Sequence, residues 1–326
     1  MKSTFVACVA DDRISPGMRH MKKREIIHNT KDIIKFLSVA LGERTLRKYD
    51  NLLGAAGYIR KHFSMFGALP WEEMYAVDGK QVANLIVEIP GNEDADSIIV
   101  IGAHYDTIED TPGADDNASG IAGLLELYRL LGTRRYKKTL RFVAFTLEEP
   151  PYFSSDEMGS MVNAKRCRER NEKIELMICL EMIGYAHRRY QQHVPFRDMS
   201  KKLPARGDFL AVVSLPSCCG HAYGWKNIYN RHARHEIVDI VGPSSIPGIS
   251  HSDHYSFNRH GFPAIMLTDT ALYRNRNYHT DGDTYETINF EFLAEHIVNM
   301  HRTIEEIADM DIMLDKNSPR SLAICR

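Results

Sequence analysis

The 326-residue chain has no apolar stretch near the roughly 18 residues that a membrane-crossing helix needs. Its first residues, MKSTFVACVADD, hold a short apolar patch from Phe5 to Ala10, short of the roughly 7–15 residues of a secretion-signal core. The sequence as it stands therefore reads as cytoplasmic, although a chain trimmed of a leader would look the same. Charge of one sign is also missing: 41 basic against 43 acidic residues give a formal net charge of -2. Without a basic excess, nucleic acid is not expected as a partner. None of the six cysteines (Cys8, Cys167, Cys179, Cys218, Cys219 and Cys325) forms a CxxC pair, so no disulfide framework is indicated. Repeats, low-complexity tracts and Pro/Gly-rich linkers are absent as well. What remains, 44% hydrophobic and 26% charged residues, fits a soluble globular protein with a substantial core. Fifteen histidines stand out, because imidazole is the commonest metal ligand among side chains.

The chain alternates between helical and strand-like patterns. Residues 31–66 space apolar side chains at three and four and stop at Gly67, which predicts a helical lead-in. ANLIVEIPG (83–91) alternates like a strand, and SIIVIGAH (97–104) is a continuous apolar run of the kind buried in parallel or mixed sheets. IAGLLELYRLLG (121–132) gathers Ile121, Leu124, Leu125, Tyr128 and Leu131 on one helical face. Strands are expected at 139–149, 174–184, 209–215 and 263–270, and an amphipathic helix at 290–310. The basic, poorly periodic stretch from His187 to Gly207 reads as a surface excursion. Such interleaving predicts an α/β three-layer sandwich, a central mixed, mostly parallel sheet flanked by helices. We expect a single domain over 1–326, with a mainly helical lead-in over 1–82 and the core over about 83–310.

In folds of this kind ligands bind beyond the carboxyl ends of the strands. Those ends here carry His104 with Asp106 just beyond, Glu148 and Glu149, and Glu181; a loop after the strand at 263–270 brings His279. The stretch HYDTIEDTPGADDNASG (104–120) adds the pair Asp115 and Asp116. Burying so many acids without a partner is costly, and a divalent cation is the economical partner. Imidazole and carboxylate ligands without thiolate suit Zn2+, and also Co2+ or Mn2+. Five candidate ligands (His104, an aspartate of the pair taken as Asp115, Glu149, Glu181 and His279) exceed the three of a typical single catalytic zinc. Two ions bridged by one carboxylate would use them all. Asp106 is then free to orient the His104 ring, and Glu148 to accept a proton from water.

The motifs GAHYDT, PGADDNASG, LEEP, LEMIGY, SDHYSF and YHTDGDT occur in the order and at roughly the intervals of the M28 zinc aminopeptidases, which this chain resembles over about residues 83–310. The resemblance implies metal-dependent peptide hydrolysis with two Zn2+ held by His104, Asp115, Glu149, Glu181 and His279, and Glu148 as general base. Spacing does not choose between the adjacent aspartates; the resemblance implies that the first bridges the metals, with a cis bond to the residue after it. Glu181 stands where many relatives carry Asp, and EEPPYF replaces a Gly-rich stretch, so Tyr152 and Phe153 are expected to wall the pocket. Tyr278 is a candidate donor to the oxyanion. The expected partner is a peptide or aminoacyl substrate, with no membrane span and the oligomeric state left open.

Two rival readings stand beside the aminopeptidase. Glutaminyl-peptide cyclotransferases resemble the same family but work with one zinc, and usually carry Trp where this chain has Tyr278. A metal-free binding protein on the same fold is the other rival. His251, His254 and His260 read as ordinary loop histidines. Histidines 221, 232, 235 and 296 read as surface or satisfied structural residues.

Overall fold

The computed structural model describes residues 16–193, 203–233 and 237–310. The apolar patch at 5–10, Cys8, Cys325, His235 and residues 194–202 of the expected excursion lie outside them. The lead-in begins with helix α1 (Pro16–Lys35), continues through a π-helical turn at Phe36–Leu41 and resumes as α2 (Tyr49–Met65). The apolar spacing of 31–66 is thus helical at both ends but interrupted at Gly42, whose φ of 73° carries the chain out of the helix. Gly67, at φ 85°, ends α2 in the predicted place: its N–H and that of Ala68 return to the carbonyls of Ser64 and Phe63.

The lead-in is less helical than expected near its end. Strand β1 (Trp71–Val77) pairs antiparallel with β2 (Lys80–Ile89) through Asp78 and Gly79, both left-handed at φ 49° and 74°. An Asp-Gly pair between alternating strands is a strong hairpin signal, because a type I′ turn needs positive φ at both positions. The remaining elements are β3 (Asp94–His104), α3 (Gly120–Leu131), β4 (Lys138–Phe145), α4 (Gly159–Glu169) and β5 (Lys173–Glu181). They are followed by β6 (His187–Gln191), β7 (Arg206–Gly207), β8 (Ala211–Ser214), α5 (Cys219–His232) and β9 (Val238–Val241). The chain closes with α6 (His254–Arg259), β10 (Ala264–Thr268) and α7 (Phe290–Asp309). The excursion at 187–207 begins and ends in the short β6–β7 ribbon, apart from the main sheet.

The main sheet has eight strands in the order β1-β2-β4-β3-β5-β10-β8-β9. Pairs β4–β3, β3–β5, β5–β10 and β8–β9 are parallel and the others antiparallel, so the sheet is mixed and mostly parallel as predicted. Both faces are covered. Along β3, Ile99, Ile101 and Ala103 enter one apolar cluster with α2, α3 and α7, while Ile98 and Val100 enter a second with α4 and α6. This period-two division is why the strand reads as an unbroken apolar run: each face buries its own half. Helix α7 directs Leu293, Ile297, Met300, Ile304 and Ile307 into the first cluster, and the Asn289 side chain caps it by accepting the Phe292 N–H at 3.0 Å. Cys167, Cys179 and Cys218 carry free thiols, whereas Cys219 is disulfide-bonded. Among the described residues no helix is long and apolar enough to cross a membrane.

Buried His254 begins α6, with Nε2 2.7 Å from the Ile249 carbonyl. Burial pushes its pKa down to about 4. The unfolded chain therefore binds the extra proton between about pH 6.5 and 4, and folding stability falls as the pH falls through that window. The full effect is on the order of 3 kcal/mol at the acid end. His254→Gln, which keeps a donor for Ile249, should flatten the fall in melting temperature between about pH 6.5 and 4.5. An unchanged slope would take His254 out of the acid response.

Candidate metal centre

The parallel register brings the ligand-bearing strand ends together. His104 at the end of β3 lies beside Phe145 at the end of β4, and Glu181 at the end of β5 lies beside Thr268 of β10. Beyond β4 the chain turns at Leu147, with φ 54°, and presents Glu148 and Glu149. Met182, directly after Glu181, has φ 46°, and His279 itself has φ 57°. Left-handed backbone is costly for side chains of this size and accumulates where a structure holds groups for function. Here it falls on His279 itself, next to Glu181 and two residues before Glu149, three of the five expected ligands.

Among the described residues the side chains form three overlapping groups spaced to hold a cation: two share the Asp116 carboxylate, and the third is His104, Glu148 and Glu149. His104 Nε2 is 3.4 Å from Asp116 Oδ1 and 3.3 Å from Glu181 Oε2. His279 Nε2 is 3.4 Å from Asp116 Oδ2 and 3.3 Å from Glu149 Oε2. Glu148 Oε2 stands 3.8 Å from His104 Nε2, at the edge of the first group. His104, Glu149, Glu181 and His279 thus converge as expected, with ligand atoms spaced to hold cations.

Asp115, the residue expected to bridge, is not the one that faces both histidines. Asp116, not Asp115, projects between the two histidines, and the cis peptide bond falls at Asp116–Asn117. Asp115 points the other way, where polar partners await it. Its Oδ1 accepts the Gly184 N–H at 2.9 Å and its Oδ2 accepts the Asn275 amide at 3.1 Å. Burial and neighbouring Asp269 hold the Asp115 carboxyl well above the usual carboxylate range. Adjacent residues in a tight turn face different sides, and spacing alone carries no information about which side holds the donors.

The surrounding charges act as a cluster made for cations would. Burial and Asp116 push Glu149 up to about 8, and burial raises Glu148 and Glu181. Burial works against protonated His279, yet Asp116 and Glu149 push it up to about 10. Asp116 is held below the usual carboxylate range: burial works against its charge, but the facing His104 and His279 rings outweigh it. Both ring nitrogens of His104 and Oε1 of Glu149 are buried without a hydrogen-bond partner. Fully buried polar atoms are seldom left so, and N/O donor atoms without sulfur fit zinc or a similar divalent ion.

Other residues hold this arrangement in place. Asp106 Oδ1 lies 3.5 Å from His104 Nδ1, and the two oxygens of the same carboxylate accept the backbone N–H groups of Glu148 and Glu149 at 3.1 and 3.0 Å. Asp106 therefore ties the end of β3 to both glutamates. The Ser252 hydroxyl donates to Glu181 Oε2 at 2.5 Å, which accounts for part of the SDHYSF motif, and buried Asp253 beside it is pushed up to about 7. Asp283 accepts the N–H groups of Asp115 and Asp116 at 3.0 Å each, joining the His279 loop to the Asp116 loop. Sequence reasoning passed over Ser252 and Asp283. Each lies in a quoted motif, but neither its spacing nor its type announces a partner from a distant loop.

Beside the cluster opens a pocket that runs from Glu181 and Tyr278 toward apolar Val213, Ile240, Ile249 and Met266. The Tyr278 ring stacks on His279, centroids 3.8 Å apart. Tyr152 and Phe153 do not line this pocket, contrary to expectation. The Tyr152 hydroxyl instead bonds Asp78 at 2.9 Å, and Phe153 packs against His251 and Tyr255.

Comparison with known proteins finds the same fold and a family match. An uncharacterized protein of Escherichia coli K12, YfbL, is 39% identical over 80% of this chain and 82% of its own length. A probable leucine aminopeptidase of Trichophyton verrucosum is 29% identical over 65% of this chain, which spans only 54% of that relative. The fold recurs in the LapA aminopeptidase of Legionella pneumophila (TM-score 0.70, 16% identity, 95% of this chain, 78% of that one). It recurs also in a zinc aminopeptidase of Bacillus subtilis (TM-score 0.56, 21% identity, 74% of this chain, 54% of that one). A glutaminyl cyclase of Porphyromonas gingivalis has it too (TM-score 0.62, 19% identity, 86% of this chain, 98% of that one). The family model described as Peptidase family M28 matches residues 84–304, and the chain belongs to that family.

Proposed function

We propose that the protein is a zinc-dependent aminopeptidase that holds two Zn2+, one between His104, Asp116 and Glu181 and one between His279, Glu149 and Asp116. The observation that carries this reading is the Asp116 carboxylate, with one oxygen toward each histidine. Such a pair of cations, when bound, would supply Lewis acidity to a substrate carbonyl and to water. Glu148 stands beside the ligands without belonging to either group that shares Asp116. Burial raises its proton affinity, so it suits taking a proton from the attacking water and passing it to the leaving amine. Asp106 keeps the His104 ring and the Glu148 backbone in register, and so acts as a positioning residue. Tyr278, between the pocket and His279, is placed to donate to the developing oxyanion. The uncompensated acids of the cluster favour a substrate with a free α-amine, and the apolar pocket favours an uncharged, aliphatic or aromatic N-terminal side chain. We take residues 1–326 as one peptidase domain.

The test is elemental analysis joined to two assays. Two zinc equivalents per chain are expected, with hydrolysis of leucyl or methionyl chromogenic substrates and no cyclisation of N-terminal glutamine peptides. One zinc with cyclisation would make the chain a glutaminyl cyclase instead. No bound cation and no turnover would leave a binding protein on the same fold.

A further inference from the structure

Arg44 belongs to the lead-in, outside the residues 84–304 that match the family, and its side chain is fully buried. Among the described residues no acidic side chain pairs with it in a salt bridge; its guanidinium serves backbone carbonyls. Nε donates to Tyr105 O at 2.7 Å, and Nη1 to Leu37 O, Gly42 O and Pro112 O at 3.0, 2.9 and 2.8 Å. Nη2 donates to Gly113 O at 3.0 Å. Its backbone joins in: Arg44 N–H donates to Thr107 Oγ1 at 3.0 Å, and Thr107 N–H returns to Arg44 O at 3.2 Å. Tyr105 directly follows His104, and Pro112–Gly113 stand just before the Asp115–Asp116 pair. One planar fork thus holds both ends of the loop that separates two ligands, a task for which a guanidinium is suited and an ammonium is not.

The loop is built around that fork. Gly113 has φ 60°, and a Cβ there would stand 2.3 Å from Thr107 Cγ2, 2.4 Å from Asp116 O and 2.9 Å from Arg44 Nη2. The same guanidinium feels Asp106, Asp283, Asp116 and Glu149, so a fixed positive charge lies behind the acids of the site. We propose that Arg44 is a positioning residue for the metal centre: the lead-in reaches through it into the core and sets the separation of His104 and Asp116. This inference rests on the reading of the cluster as a metal site.

Arg44→Lys tests it on the full chain, with Ile59→Val in the buried face of α2 as a control that weakens the same lead-in elsewhere. Two quantities are read: zinc affinity by competition with a chromogenic chelator, and amide exchange of residues 105–113 in the metal-free protein. Arg44→Lys should weaken zinc binding by about tenfold or more, as lost outer ligand support does, and speed exchange in the loop. Ile59→Val should lower overall stability and change neither. Arg44→Lys within about twofold of the wild type on both measures overturns the inference, as does equal weakening by Ile59→Val. Should Arg44→Lys fail to fold, Thr107→Val loosens the same clasp, and unchanged zinc affinity and exchange in that variant overturn it. A wild type that holds no cation sinks the metal reading and this inference together; a wild type that holds zinc beside an equally tight Arg44→Lys sinks this inference alone.

Discussion

Asp116→Asn is expected to strip the protein of its metal and its activity, while Asp115→Asn keeps both. Asp116 offers one oxygen to each histidine, and an amide can supply only one oxygen and no charge. Loss of an outer supporting residue costs about 10–100-fold in metal affinity, so loss of a shared ligand should exceed about 100-fold. Asp115 is different. It accepts from Gly184 and Asn275 and shares a hydrogen bond with Asp269, with its proton held in place by burial. An asparagine there keeps an oxygen for Gly184 and a donor for Asp269. Metal content of the two variants, measured after dialysis, separates them. Equal loss from both would mean that the loop as a whole, and not the Asp116 carboxylate, carries the cations.

The second large effect belongs to Glu148. Glu148→Gln preserves shape and removes the proton acceptor, so kcat should fall by about 10²–10⁴-fold with KM little changed. Two bound zinc equivalents should remain, because Asp116, Glu149, Glu181 and the two histidines are intact. Zinc lost together with activity would instead place Glu148 among the ligands, which its 3.8 Å approach to His104 makes a real alternative. Full activity would remove it from catalysis.

Much of this was legible in the residues. Apolar runs of strand length with ligand-type residues at their ends gave the sandwich and put His104, Glu149, Glu181 and His279 at one edge, where the structure brings them near one another, because parallel strands of similar length end at the same edge. The Asp78-Gly79 hairpin was equally readable, since the turn chemistry is local, yet the helical lead-in was extended across it. The choice between Asp115 and Asp116 was not readable. It depends on where Gly184, Asn275 and Asp283 stand, and these belong to segments about 70 to 170 residues away in the chain, within the long-range contacts that close the fold. The pocket wall was misplaced for the same reason: Tyr152 finds Asp78 across the molecule instead of the substrate space.

The sequence by itself determined the layered α/β architecture, the motif order that marks peptidase family M28, and the chemical types of the candidate ligands, because all three are written in periodicity and residue type. Tertiary structure alone decided which aspartate stands between the two histidines, which serine steadies Glu181 and that Arg44 reaches from the lead-in to the loop between His104 and Asp116. Those outcomes turn on side-chain direction and on hydrogen-bond partners brought together only when the sheet closes, and neither leaves a trace in local spacing.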